Sequence, residues 1–479
     1  MAGIGFELKR IFKKDSLTSV LSGAVYSTVV VIGPTLIVML TLLILYGVLG
    51  YMEVPYANRE LLSSAILYIF IFSVIIVTPI NNVMSRYVAD RIFEDEFADI
   101  LPSFYTGLLI CEAVGAVVGI PFLAHVVLVG KVEIVYVAIM YLFFVALITV
   151  FYTLTYLTAT KDYKIIAFDF FLGMVIAFVF AYVTRWIYNW ELIYAILTGL
   201  CLGFWLIAIL QVAYVKHYFK ESNKSYGKCL AYFLNMKRLL FGSLFYVLGL
   251  YCHNFVFWGT EGHLVVAESF YTYQAYDMAS CLGMFTNISA MVIFTVMSET
   301  KFHDIYQKYN EAIIGSTLRD IETAKANMFR LLIQQIGYVV RIQVIISVII
   351  FLLAIIFLPD LGFSGLEMTI YPSLAAAFFG IFTMYCNNIF LCYFNDNTGA
   401  FFTGFLFFAG TLIGSLISCH LEPQFYGVGV LAGALIAWTY SYFRIRFLEK
   451  NFDYHIMCSM HVINLNLSKK PDSLIYKRK

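Results

Sequence analysis

Few side chains in this sequence could do polar chemistry, and most of those lie inside long apolar runs. Glu112 falls near the middle of the run 101–129. A carboxylate there is costly in lipid, so it must be protonated, pair with a neighbouring helix, or line a wet cavity as a proton or sugar-hydroxyl site. Asn254, Asn287, Asn387 and Asn388, with Asn81, Asn82 and His253, place amides and an imidazole in or near the runs. An amide both donates and accepts, which suits a neutral sugar, but the same groups also tie helices together. Gly33 and Pro34 interrupt the hydrogen-bond ladder of the first run, the kind of break from which transporters build gates. The candidate cavity or transport residues are therefore Glu112, Asn254, Asn287, Asn387 and Asn388, with Gly33 and Pro34 as a gating kink. Asp169, one turn into its run, reads as a wet structural residue.

Other chemistry is missing from the pattern. No GxxxxGK[ST] loop occurs, the nine cysteines have neither CxxC nor Cys/His ligand spacing, and Glu94, Asp95 and Glu96 beside Asp99 read as a solvated charge run. No catalytic set, metal site or cofactor is expected. The polar connections are too short to hold a nucleotide-binding or glycosyltransferase domain. No Lys or Arg falls in the middle of a run, so a cargo should be neutral where it crosses, or carry any phosphate at the interface.

The elements that position these residues follow from composition. Of 479 residues 61% are hydrophobic and 13% charged, with a mean hydropathy of +0.84. That leaves too few charges to solvate a globular surface, so the solvent must be mostly lipid. The net charge of +1 gives no attraction to nucleic acid. The reading is all-α, with about twelve transmembrane helices at 17–50, 61–85, 101–129, 134–159, 165–184, 192–215, 239–259, 277–298, 336–358, 369–394, 399–420 and 426–443. If the N-terminus is inside, 28 of the 31 Lys and Arg fall in inner segments, leaving Arg59, Lys131 and Arg185 outside. This asymmetry places both termini in the cytoplasm, and Tyr51, Tyr56, Trp186 and Trp190 then fall at outer ends as aromatic-belt residues.

The chain divides into a cytoplasmic amphipathic N-terminus (1–16), a first six-helix bundle (17–215), a basic cytoplasmic linker (216–238), a second six-helix bundle (239–443) with a cytoplasmic helical connector (299–335), and a cytoplasmic tail (444–479). VMSRYVADRIF at 83–93 and VMSETKFHDIY at 296–306 occupy the same place in each half, which favours a parallel repeat around a central cavity.

The opening MAGIGFEL, the basic amphipathic stretch after it and the Gly-Pro-containing first span resemble the PelG family, the polytopic membrane subunits of Pel exopolysaccharide systems. The resemblance implies a transporter of the multidrug, oligosaccharidyl-lipid and polysaccharide exporter superfamily in the bacterial cytoplasmic membrane. It implies a polymer rich in N-acetylgalactosamine as cargo. The implied partners are a cytoplasmic glycosyltransferase, a small membrane protein and a membrane-anchored cyclic di-GMP receptor. A lipid-linked oligosaccharide flippase would share the fold. A drug or cation antiporter should carry a membrane carboxylate, and the first span has none, although Glu112 could substitute; a non-transporting scaffold of a synthase is the remaining class.

Overall fold

The computed structural model describes residues 17–455, apart from 161, 224, 298–301 and 364. The N-terminal stretch 1–16, most of the tail, and part of the second VMS copy lie outside the described residues.

Among the described residues there are fourteen α-helices: α1 (Leu17–Val48), α2 (Tyr56–Phe93), α3 (Ile100–Leu128), α4 (Ile134–Thr160), α5 (Tyr163–Trp186), α6 (Leu192–Tyr218), α7 (Tyr226–Asn235), α8 (Lys237–Phe257), α9 (Gln274–Met297), α10 (His303–Gly315), α11 (Leu318–Phe357), α12 (Leu366–Tyr393), α13 (Asn397–Ser418) and α14 (Val428–Tyr454). All but α7 and α10 coincide with the twelve expected spans, and ten are long and apolar enough to cross a membrane. Helices prevail because lipid offers no partner for backbone N–H and C=O groups, so each segment must satisfy its own. Several runs turn at single left-handed residues: Asp95, Lys131, Asn189 and Asn395 have φ of 59°, 51°, 53° and 57°. One such residue ends a helix tightly and sends the chain back.

The packing repeats. In the first half α1 packs on α5, α5 on α6, α6 on α4, α4 on α2, and α3 touches both α2 and α4. In the second, α8 packs on α13, α13 on α14, α14 on α12, α12 on α9, and α11 touches both α9 and α12. The two wiring patterns are the same, so the halves form a parallel repeat. The contacts between halves are reciprocal, α2 with α8 and α1 with α9, as a twofold relation requires.

The closest helix approaches are also repeated. Between α5 and α6, a Cβ on Gly203 would lie 2.6 Å from the Gly173 carbonyl oxygen; between α13 and α14, a Cβ on Gly429 would lie 2.2 Å from the Gly414 carbonyl carbon. Small residues at these crossings let backbones touch, which in lipid replaces the hydrophobic drive that helices lack there.

At the Lys/Arg-rich end, the second half carries an aromatic knot: Phe302, Tyr309, Phe329, Phe390, Phe394 and Phe452 are buried together. Helix α11 begins at Leu318, well before the expected 336, because a Thr317–Asp320 capping box starts it and nothing stops it before the membrane. Arg444 grips Asp396 with two hydrogen bonds, 2.6 Å and 3.0 Å.

The linker closes onto the first half. Asp99 accepts hydrogen bonds from Ser225 Oγ (2.6 Å), Lys228 Nζ (3.2 Å) and Asn223, and Tyr232 Oη on α7 donates to Asp90 at 2.6 Å. Only Met236 separates α7 from α8. On the far side of that residue, Arg238 Nη1 donates to Thr398 Oγ1 of the second half at 2.9 Å.

Candidate functional site

The structure distributes the sequence-selected residues rather than gathering them. Glu112 turns towards α4, where Thr149 Oγ1 donates to its Oε1 at 2.9 Å. Asn287 is a hub: its Nδ2 donates to the carbonyls of Gly283 and Ala375, both at 3.1 Å, and its Oδ1 accepts from Ser347 Oγ at 2.8 Å. It thereby ties α9, α12 and α11 together. Asn387 donates to Ser441 Oγ at 3.1 Å, tying α12 to α14. Asn388, one residue on, is half-buried and its Oδ1 has no hydrogen-bond partner. Helix α1 passes through Gly33 and Pro34 as one helix, with Gly33 buried. Asp169 is 4% exposed, so it is not the wet residue expected, and its Oδ2 lacks a partner.

Asn254 belongs to a cluster that the sequence did not single out. Asp277, in the first turn of α9, accepts from Asn254 Nδ2 (2.7 Å), Trp258 Nε1 (2.9 Å) and the Tyr273 backbone N–H (3.1 Å). Although it lies near the end of an apolar helix, this carboxylate organises the α8–α9 junction from within.

Between these helices lies a hairpin with no expected counterpart, β1 (Leu264–Val266) paired antiparallel with β2 (Phe270–Thr272). Its turn holds Ala267 and Glu268 at φ of 46° and 47°, and closes with a hydrogen bond from Ser269 N–H to the Val266 carbonyl at 3.2 Å. The hairpin belongs to the second half but docks on the first. Tyr68 of α2 donates its hydroxyl to the Tyr271 carbonyl at 2.8 Å and accepts from the Tyr271 N–H at 2.9 Å. Both backbone groups that β2 would leave unpaired are thus satisfied by one side chain. The Tyr68 ring stacks on Trp258, with centroids 4.9 Å apart, and meets Phe270 edge-on at 5.2 Å. Gly130, between α3 and α4, leaves the room for this: a Cβ there would sit 2.6 Å from the Ala267 carbonyl oxygen. At the opposite, basic end, Asn82 Nδ2 donates to Ser243 Oγ at 2.8 Å across the same α2–α8 contact.

The Thr149 bond makes Glu112 a link between α3 and α4, and two substitutions separate that role from proton transport. Glu112→Gln keeps an acceptor for Thr149 and should leave function near wild type, whereas Glu112→Leu should cost about 1 kcal/mol of stability. Thermal unfolding and an export assay check both. Loss of export in the Gln variant at normal abundance would instead make Glu112 a proton carrier.

Two six-helix bundles in parallel repeat, with a hairpin of the second docked on the first, define the class by its fold: a multi-pass membrane protein with the two-bundle architecture of MATE transporters. Solved structures similar to this chain include a variant of the Vibrio cholerae MATE transporter VcmN (12% identity, 93% of this chain and 98% of that one, TM-score 0.63). Others are a MOP superfamily transporter from Pyrococcus furiosus (13%, 89% and 96%, TM-score 0.57) and an outward-facing multidrug resistance MATE family transporter (13%, 89% and 96%, TM-score 0.56). At such identities they establish the fold alone. The family model of PelG, the exopolysaccharide exporters (EPS-E), matches residues 1–457, and the chain belongs to that family. No curated protein matches its sequence.

Proposed function

We propose that the protein carries a growing exopolysaccharide across the bacterial cytoplasmic membrane, with the Lys/Arg-rich end in the cytoplasm. The observation that carries this reading is the family match over residues 1–457, on a chain with the two-bundle transporter fold. The charge asymmetry supports the orientation. The absence of mid-span cations supports a cargo that is neutral where it crosses, such as a Pel-like polymer rich in N-acetylgalactosamine. The protein itself is a transporter rather than an enzyme. A cytoplasmic glycosyltransferase would supply the chain, with further membrane subunits, including a cyclic di-GMP receptor, controlling it.

Deleting the gene should abolish surface polysaccharide while an extract retains polymer synthesis. Loss of synthesis as well would make the protein a part of the synthase. Reporters fused after Lys131, Asn189 or Glu422 should be external, and those after Asp162, Lys224 or Lys469 internal; one reversal within a half breaks the orientation.

A further inference from the structure

Packing in the second bundle leaves a strip of side chains partly accessible in the interior of the fold. On α12, Tyr385, Asn388 and Cys392 fall at i, i+3 and i+7 and are half-buried, whereas Cys386, Asn387, Phe390 and Leu391 are buried. Tyr246 of α8, also half-buried, stacks on Tyr385 with ring centroids 5.6 Å apart and planes 29° apart. The Asn388 Oδ1 beside this pair has no hydrogen-bond partner. A buried acceptor left open by the protein asks for a partner from elsewhere. At the basic end of the strip, Arg86 of α2 approaches from the first half, within electrostatic reach of Cys392 and of Tyr306 on α10. Its charge is balanced by Asp90 at 3.2 Å. The strip is thus two stacked phenols, an enclosed amide oxygen without a partner that a turn of the Asn388 side chain would present, and a charge-balanced guanidinium, and both halves contribute to it.

We propose that this strip is the surface on which an uncharged glycan chain slides inward from the cytoplasm. The proposal rests on the transporter reading above and names the residues that hold the cargo. The flat C–H faces of pyranose rings pack on the Tyr246 and Tyr385 rings, sugar hydroxyl or acetamido N–H groups donate to Asn388 Oδ1, and Arg86 donates to sugar oxygens.

The test uses the full-length protein in lipid nanodiscs with chitotetraose as an uncharged N-acetylated probe and tetraphenylphosphonium as a lipophilic cation, read by saturation-transfer NMR and titration. The wild type should bind chitotetraose. Tyr385→Ala and Asn388→Ala should each weaken it by about tenfold and reduce export in parallel, at unchanged abundance, while Tyr385→Phe keeps the ring and stays within about threefold. If Tyr385→Ala does not fold, Asn388→Ala and Tyr385→Phe carry the comparison. Unchanged glycan binding and export in both alanine variants would overturn the strip and leave the transporter reading standing. Binding of tetraphenylphosphonium with no glycan binding by the wild type would overturn the exopolysaccharide reading in favour of a cation exporter, and the strip with it.

Discussion

Tyr68→Ala is expected to unseat the hairpin from the first half and loosen the contact between the halves at that end. The change removes two hydrogen bonds to Tyr271 and the stack on Trp258 together. A buried backbone donor or acceptor left without a partner costs about 1–3 kcal/mol, and losing a large buried aromatic side chain costs about 3–5 kcal/mol. Such a loss removes the main polar and aromatic hold of α2 on the hairpin, so the undocked form should gain population. Spin labels at positions 131 and 268 should move apart in Tyr68→Ala, and export should fall at normal protein abundance. Tyr68→Phe keeps the ring and should give an intermediate shift. Unchanged label distances in Tyr68→Ala would show that the hairpin is held by something other than this side chain.

Gly429→Val should be at least as damaging, but through assembly rather than gating. Its new Cβ would meet the Gly414 carbonyl carbon at 2.2 Å and oxygen at 2.3 Å, both backbone atoms that cannot rotate away. Overpacking a close crossing costs about 1–3 kcal/mol, and backbone-on-backbone contact belongs at or above the top of that range. The variant should lose most of its membrane abundance and melt well below wild type. Gly337→Val is the control, since no atom lies within 4 Å of a Cβ built there. A Gly429→Val protein that melts with the wild type would mean that α13 and α14 are not held by this crossing.

The helices were legible in the sequence because lipid demands long apolar runs and the chain contains little else. The hairpin was not. A tight two-strand turn with both central residues left-handed normally shows itself as Asn-Gly or Asp-Gly, and here the positions hold Ala267 and Glu268. Each pays a cost of about 1–2 kcal/mol for that conformation, which the docking on Gly130 and Tyr68 must offset. The connector reads as helical in the sequence, but not as one helix running unbroken from Leu318 into the ninth span, because its charges mark water but do not end a helix. The site was less legible still. Residue type marked Asn254, Asn287, Asn387 and Asn388 alike, but a side chain's bonding decides its role. Three of these amides are bonded within the fold and one is left with an open oxygen. Tyr68, Tyr246 and Tyr385 carried no signal among 35 tyrosines, because only folding shows which rings face a partner.

The single residue between α7 and α8 has a mechanical consequence. Since α7 is clamped to the first half through Asp90 and Asp99 and α8 is fixed to the second through Arg238, the covalent joint is a stiff pin rather than a slack tether. Any rotation of one half against the other must therefore pivot close to Met236, at the basic end, so linear displacement there is small and grows with distance towards the hairpin. A modest turn at the pin would swing the far end wide, like a gate hung on one post.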